Sequence, residues 1–127
     1  MRYVALLFLL AACATEPGGD GVRTFSNGSS NVTVAGVEVE PQRAVYAEVA
    51  QCAGLTGNPD KVRWFKLDGP IVFPEGENWW GVYWTDPREI WFTDSLSMRH
   101  EILHDLVYQH TGREDHPSPP FGVCAEP

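Results

Sequence analysis

The chain is short of positive charge and of cysteine and has no long apolar run, and each shortage narrows what it can be. Nine Lys and Arg stand against 17 Asp and Glu, a formal net charge of −8. An acidic chain is a poor match for nucleic acid or anionic lipid headgroups, so no nucleic-acid partner is expected. Only three cysteines occur, Cys13, Cys52 and Cys124, and none forms the C-x-x-C pair of a zinc ribbon. The apolar run from Tyr3 to Ala12 is too short to span a bilayer. There is no internal repeat. What remains is one small domain with a modest core.

What is present begins with an address. Met1-Arg2 followed by Tyr3–Ala12 fits the charged start and apolar region of a secretory signal. Leu10-Ala11-Ala12-Cys13 resembles the lipobox of bacterial lipoproteins. That resemblance implies cleavage before Cys13, lipid on Cys13, and attachment to the membrane of the cell envelope, with Ala14 compatible with outer-membrane sorting. A plain signal peptide is the alternative. The expected organisation is a signal over residues 1–12, lipidated Cys13 with a flexible tether through residue 30, and a folded domain over 31–127. The tether reading rests on the Gly, Ser, Thr and Asn content of Ala14–Ser30, whose reach would be about 20–25 Å. With Cys13 given to lipid, Cys52 and Cys124 predict one disulfide in an oxidising compartment, a pair of distant zinc ligands being the alternative.

Along the domain, Asn31–Glu40 alternates with a change of parity at Ala35-Gly36, predicting a strand with a bulge or two short strands. Pro41–Ala53, with Val45, Val49 and Cys52 on one face and Gly54 beyond, predicts a supporting helix. Strands are expected over Lys61–Leu67, Ile71–Phe73, Trp79–Trp84 and Arg88–Thr93. The cluster Trp79, Trp80, Tyr83 and Trp84 reads first as core and cross-strand packing, and second as a wall of a substrate cleft. Asp94-Ser95 predicts the start of a second helix, and Thr111-Gly112 its end.

That helix carries His100-Glu101-Ile102-Leu103-His104, an H-E-x-x-H pentad. Residues four apart lie about 40° apart on one helix face, so two imidazoles there can hold one zinc ion, and the glutamate between them can serve as a general base. Leu96, Leu103, Leu106 and Val107 share an arc of about 100° that predicts the buried face. The histidines fall on its rim and Glu101 outside it. A catalytic zinc site needs a third protein ligand. His110 would complete the spacing of metzincins, but Val107 replaces their glycine and no methionine follows the motif. Without that bend the helix runs on and turns His110 away, whereas Gly112 lets the chain reverse and bring back His116, which Pro117 holds extended. His116 is therefore favoured, with His110 and Asp115 as alternatives, the last at a distance resembling that of the aspartate in aspzincins. Tyr108 is the first candidate for oxyanion stabiliser, with Arg113 and His110 behind it. Asp105 is a candidate to accept a hydrogen bond from a ligand imidazole.

The order of supporting helix, sheet, edge strand over Arg88–Thr93 and motif helix resembles a minimal zincin core. Arg99–His104 with His116-Pro117, Phe121 and Cys124 is similar to small bacterial zincin-like lipoproteins. The resemblance implies an α+β fold: supporting helix, small mixed sheet with an edge strand, motif helix and disulfide-pinned tail. It also implies a zinc metallopeptidase acting on peptide or protein substrates laid along the edge strand. The alternative is a non-catalytic, zinc-stabilised envelope lipoprotein acting as a binding module, since only 23 residues follow His104. A further alternative is that the pentad is incidental.

Overall fold

The alternation of β-branched and aromatic residues builds a mixed sheet, and two capped helices pack on one of its faces. The computed structural model describes residues 21–125, so the signal, Cys13 and the first part of the tether lie outside the described residues. The elements are β1 (Val22–Ser26), β2 (Asn31–Gly36), α1 (Glu40–Ala53), β3 (Arg63–Leu67), β4 (Ile71–Val72), β5 (Asn78–Trp79), β6 (Gly81–Thr85), β7 (Arg88–Phe92) and α2 (Ser95–Thr111). The fold is α+β, as expected from the sequence, and no helix among the described residues is long and apolar enough to cross a membrane.

Five strands form the main sheet in the order β1-β2-β3-β7-β6, and β4 and β5 pair as a separate small ribbon. Among the described residues only β3 and β7 pair in parallel, with Phe65 opposite Trp91. Successive residues of β7 serve opposite faces. Ile90 and Phe92 join Tyr46, Val49, Ile102, Leu103 and Leu106 under the helices, while Trp91 joins Phe65, Leu67 and Val82 on the far side. The sheet coils enough for Phe25 of β1 to meet Trp91, three strands away in the order, with ring centroids 6.1 Å apart.

Four expectations are corrected. Val22–Ser26, placed in the tether, is a strand paired with β2. It is exposed except for half-buried Phe25, so its apolar pattern is too weak to read. The parity change after Ala35 is neither a bulge nor a second strand: β2 ends at Gly36, and Val37 and Val39 belong to the turn into α1. The Trp79–Trp84 strand is broken at Trp80 into β5 and β6. The edge strand is β6, because β7 is enclosed between β3 and β6.

The helix punctuation matches the sequence. Gly54 takes a left-handed conformation after α1, with φ 66°. Asp94 accepts from the Ser97 amide at 2.8 Å, while Ser97 Oγ accepts from the Asp94 amide, so both orphan donors at the start of α2 are satisfied. Gly112 ends α2 with φ 68°. The buried face of α1 is Gln42, Tyr46 and Val49, turned slightly from the expected Val45, Val49 and Cys52. Cys52 is exposed and bonded to buried Cys124, Cα atoms 5.7 Å apart.

Candidate metal centre

The first-turn cap and the Gly112 stop make α2 one uninterrupted helix, so His100 and His104 project from the same side with ring centroids 4.9 Å apart. The tail after Gly112 returns across them. It winds through turns in which Phe121 and Cys124 amides donate to Pro117 and Pro120 carbonyls, both at 3.0 Å, and the disulfide fixes its end to α1. His116 thereby reaches the helix. Its Nε2 lies 3.2 Å from Nε2 of His100, where one ring N–H can donate to the other. The three histidines each offer a nitrogen within 4.8 Å of the others, close enough to hold one metal ion. Phe121, buried, is the floor of the cluster: its ring centroid lies 5.1, 4.9 and 4.8 Å from those of His100, His104 and His116.

Two features fit the residues to a cation. Burial lowers the His104 pKa to about 4, with the neighbouring His100 and His116 adding to the shift, and burial followed by His116 lowers that of His100. Both rings are therefore held in the neutral form that ligates. The buried Nδ1 of His104 has no hydrogen-bond partner among the described residues. Tyr83 stacks parallel to the His104 ring, with an interplanar angle of 5° and centroids 6.4 Å apart.

Glu101 is where the structure departs most from helix phase. It is only 7% exposed, not turned outward, because the first residue of β6 lies on top of it. A Cβ on Gly81 would stand 2.9 Å from both Cγ and Oε1 of Glu101 and 3.1 Å from the Trp91 carbonyl oxygen, so only glycine leaves room for the carboxylate. Burial raises the Glu101 pKa to about 8. No hydrogen bond or ion pair to Glu101 occurs among the described residues. Glu101, His100, His104 and His116 all border one cleft of about 990 Å³, which Trp79 and Trp80 also line. A buried, unpaired carboxylate facing a cleft beside neutral imidazoles is placed to take up and release protons.

The other sequence candidates lie elsewhere. His110 is exposed and its Nε2 sits 2.7 Å from the Thr56 carbonyl oxygen, at the loop after α1. Asp115 is exposed and pairs with Arg113 at 3.4 Å, outside the histidine cluster. Tyr108 is half-buried, packed near Tyr83 with centroids 6.2 Å apart, and does not line the cleft, so it is not positioned as expected for an oxyanion. Asp105 contacts no ligand imidazole. Fully buried, it accepts from Tyr46 and Tyr83 hydroxyls at 2.7 Å, from Arg88 Nε at 2.8 Å and from Gln109 Nε2 at 2.8 Å, tying α1, β6, β7 and α2 together. Both tyrosine pKa values are raised, by burial first and by the Asp105 charge second. Of the aromatic cluster, Tyr83 is core, while Trp79 and Trp80 are 42% and 54% exposed and form cleft wall. Leu96, expected in the core, is exposed in the first turn of α2, where it borders the cleft.

Sequence reasoning gave no role to Gly81 and no position to Phe121. A glycine inside a strand was the available signal for the first; nothing local marks the second. Comparison with known proteins gives no match: no family model, curated protein or solved structure is similar to the chain.

Proposed function

We propose that the protein is a zinc-dependent metallopeptidase of zincin type, anchored to the bacterial envelope through lipid on Cys13. The observation that carries the reading is the buried, unpaired carboxylate of Glu101 beside three convergent imidazoles in one cleft. A purely structural clip has no use for a carboxylate that opens, without a side-chain partner, on the cleft bordered by the three imidazoles. This favours catalysis over the zinc-stabilised binding module.

His100, His104 and His116 would hold the ion. Two nitrogens on a tetrahedral zinc stand about 3.3 Å apart, and the 3.2 Å between His100 and His116 agrees with that edge. Zinc supplies Lewis-acid polarisation of the scissile carbonyl and makes water acidic near neutral pH. Glu101 removes a proton from the attacking water as its oxygen bonds to the carbonyl carbon. The same carboxylic acid then delivers that proton to the amine nitrogen as the C–N bond breaks. The free edge of β6, which has no strand partner on that side among the described residues, offers main-chain hydrogen bonds to an extended peptide beside the histidines.

The test is a peptidase assay on the zinc-loaded protein and Glu101→Gln. The variant is expected to keep one zinc per chain and to lose about 10²- to 10⁴-fold in kcat/KM. Equal turnover by the two proteins, or zinc binding with no hydrolysis of any peptide in a library by the wild type, would reject the enzyme.

A further inference from the structure

The part of the cleft lining that carries Trp79 and Trp80 has its own chemistry. Trp79 and Trp80 are both largely exposed. Trp79 is braced by Phe73, with ring centroids 4.6 Å apart. The Trp80 carbonyl oxygen accepts from both the amide and the hydroxyl of Thr93, at 3.0 and 2.8 Å. Two large apolar rings in the open, lining one cavity, are a stacking platform with nothing in the described chain to cover it.

On the histidine side of that platform the side-chain charge has one sign, whereas Lys66 borders a second cavity that shares Trp80 and Asp94. Glu77, Asp94 and Glu114 border the same cleft, and no Lys or Arg does so among the described residues. Asp94 is occupied by its bond to the Ser97 amide, but Glu77 and Glu114 have no side-chain partner among the described residues. At the floor, Glu101, more than nine-tenths buried and without a side-chain partner, borders the same space, but its raised pKa keeps it largely protonated near neutral pH, so the negative charge comes from Glu77, Asp94 and Glu114. A cation near an indole face is drawn by the ring quadrupole, and low-dielectric walls lined with one sign of charge concentrate the opposite sign.

We infer that the cleft selects peptide segments bearing Lys or Arg, the cationic side chain lying over Trp79 and Trp80 within reach of Glu77 and Glu114, and that it rejects acidic segments. The inference rests on reading the cleft as a peptide site, but it concerns binding and stands apart from turnover. A glycan would also stack on tryptophan; the unpaired carboxylates and the lack of basic lining favour the cation.

The experiment uses zinc-loaded Glu101→Gln, so that hydrolysis does not enter, and follows tryptophan fluorescence on titration with three peptides of equal length. They differ only in a central Lys, norleucine or Glu. The Lys peptide is expected to bind at least tenfold tighter than the Glu peptide at low salt, with the gap closing to under threefold at high salt. Adding Glu77→Gln and Glu114→Gln together is expected to bring the two peptides within threefold while thermal stability is unchanged, and Trp80→Ala to weaken the Lys peptide most. Equal binding of the three peptides, no binding of any, discrimination that survives the double Gln variant, or a preference for a neutral oligosaccharide over all three overturns the proposal. Because the readout is binding, a protein that discriminates in this way without peptidase activity in its wild-type form would sink the enzyme reading and leave this one standing.

Discussion

Two residues of the pentad titrate against each other in the metal-free protein. Glu101 is raised from an ordinary 4.5 to about 8, so the stability its proton contributes is complete below pH 4.5 and is lost as pH rises through about 8. His104 is lowered from 6.5 to about 4, so its contribution is present above pH 6.5 and is lost as pH falls through about 4. The two slopes oppose between about pH 4.5 and 6.5, and Glu101 acts alone above that. In chelator, Glu101→Gln is expected to melt higher than wild type at pH 8 and close to it at pH 5. A melting difference that does not change between these pH values would show that Glu101 is not desolvated. The histidine side of this picture was legible from the sequence, since helix phase and Gly112 decide between His110 and His116. The burial of Glu101 was not, because it depends on Gly81, a residue distant in sequence that the helix pattern cannot register.

Elements meet at Asp105. Its carboxylate joins both helices and the last two strands, with Arg88 Nε at 2.8 Å and Arg88 only one-fifth exposed. Removing one partner of such a buried pair leaves the other uncompensated, so Arg88→Met is expected to cost about 3–5 kcal/mol in urea unfolding. A loss under about 1 kcal/mol would mean the network contributes little to docking α2 on the sheet. At the other end of β6, Gly81→Ala is expected to push the Glu101 carboxylate aside, lowering kcat at least tenfold while zinc stoichiometry holds at one. Retained kcat would show that the close approach is not needed. Element identities were readable because caps and periodicity are local, as Asp94, Gly54 and Gly112 show. Sheet order was not. The strand next to α2 in sequence, β7, is drawn inward by its parallel pairing with β3, a contact no local pattern encodes, and the edge passes to β6.

At the scale of the whole molecule, the site is built from two segments that the disulfide holds in register. Cys52 and Cys124 are 72 residues apart, a separation for which the chain-entropy model gives about 4 kcal/mol. Most of that loop is independently packed sheet and helix, whereas the tail carrying His116 is exposed except for residues such as Phe121 and Cys124. Replacing both cysteines by serine is therefore expected to weaken zinc binding at least tenfold, with α2, which carries His100 and His104, still folded by circular dichroism; unchanged affinity would show that the tail holds its place unaided. The most direct test of the centre as a whole is a zinc titration against a competing chelator for wild type, His116→Ala and His110→Ala. One zinc per chain is expected, with affinity lowered at least a hundredfold by His116→Ala and less than twofold by His110→Ala. Absence of zinc binding, or a His110→Ala loss as large as that of His116→Ala, would contradict the three-histidine centre.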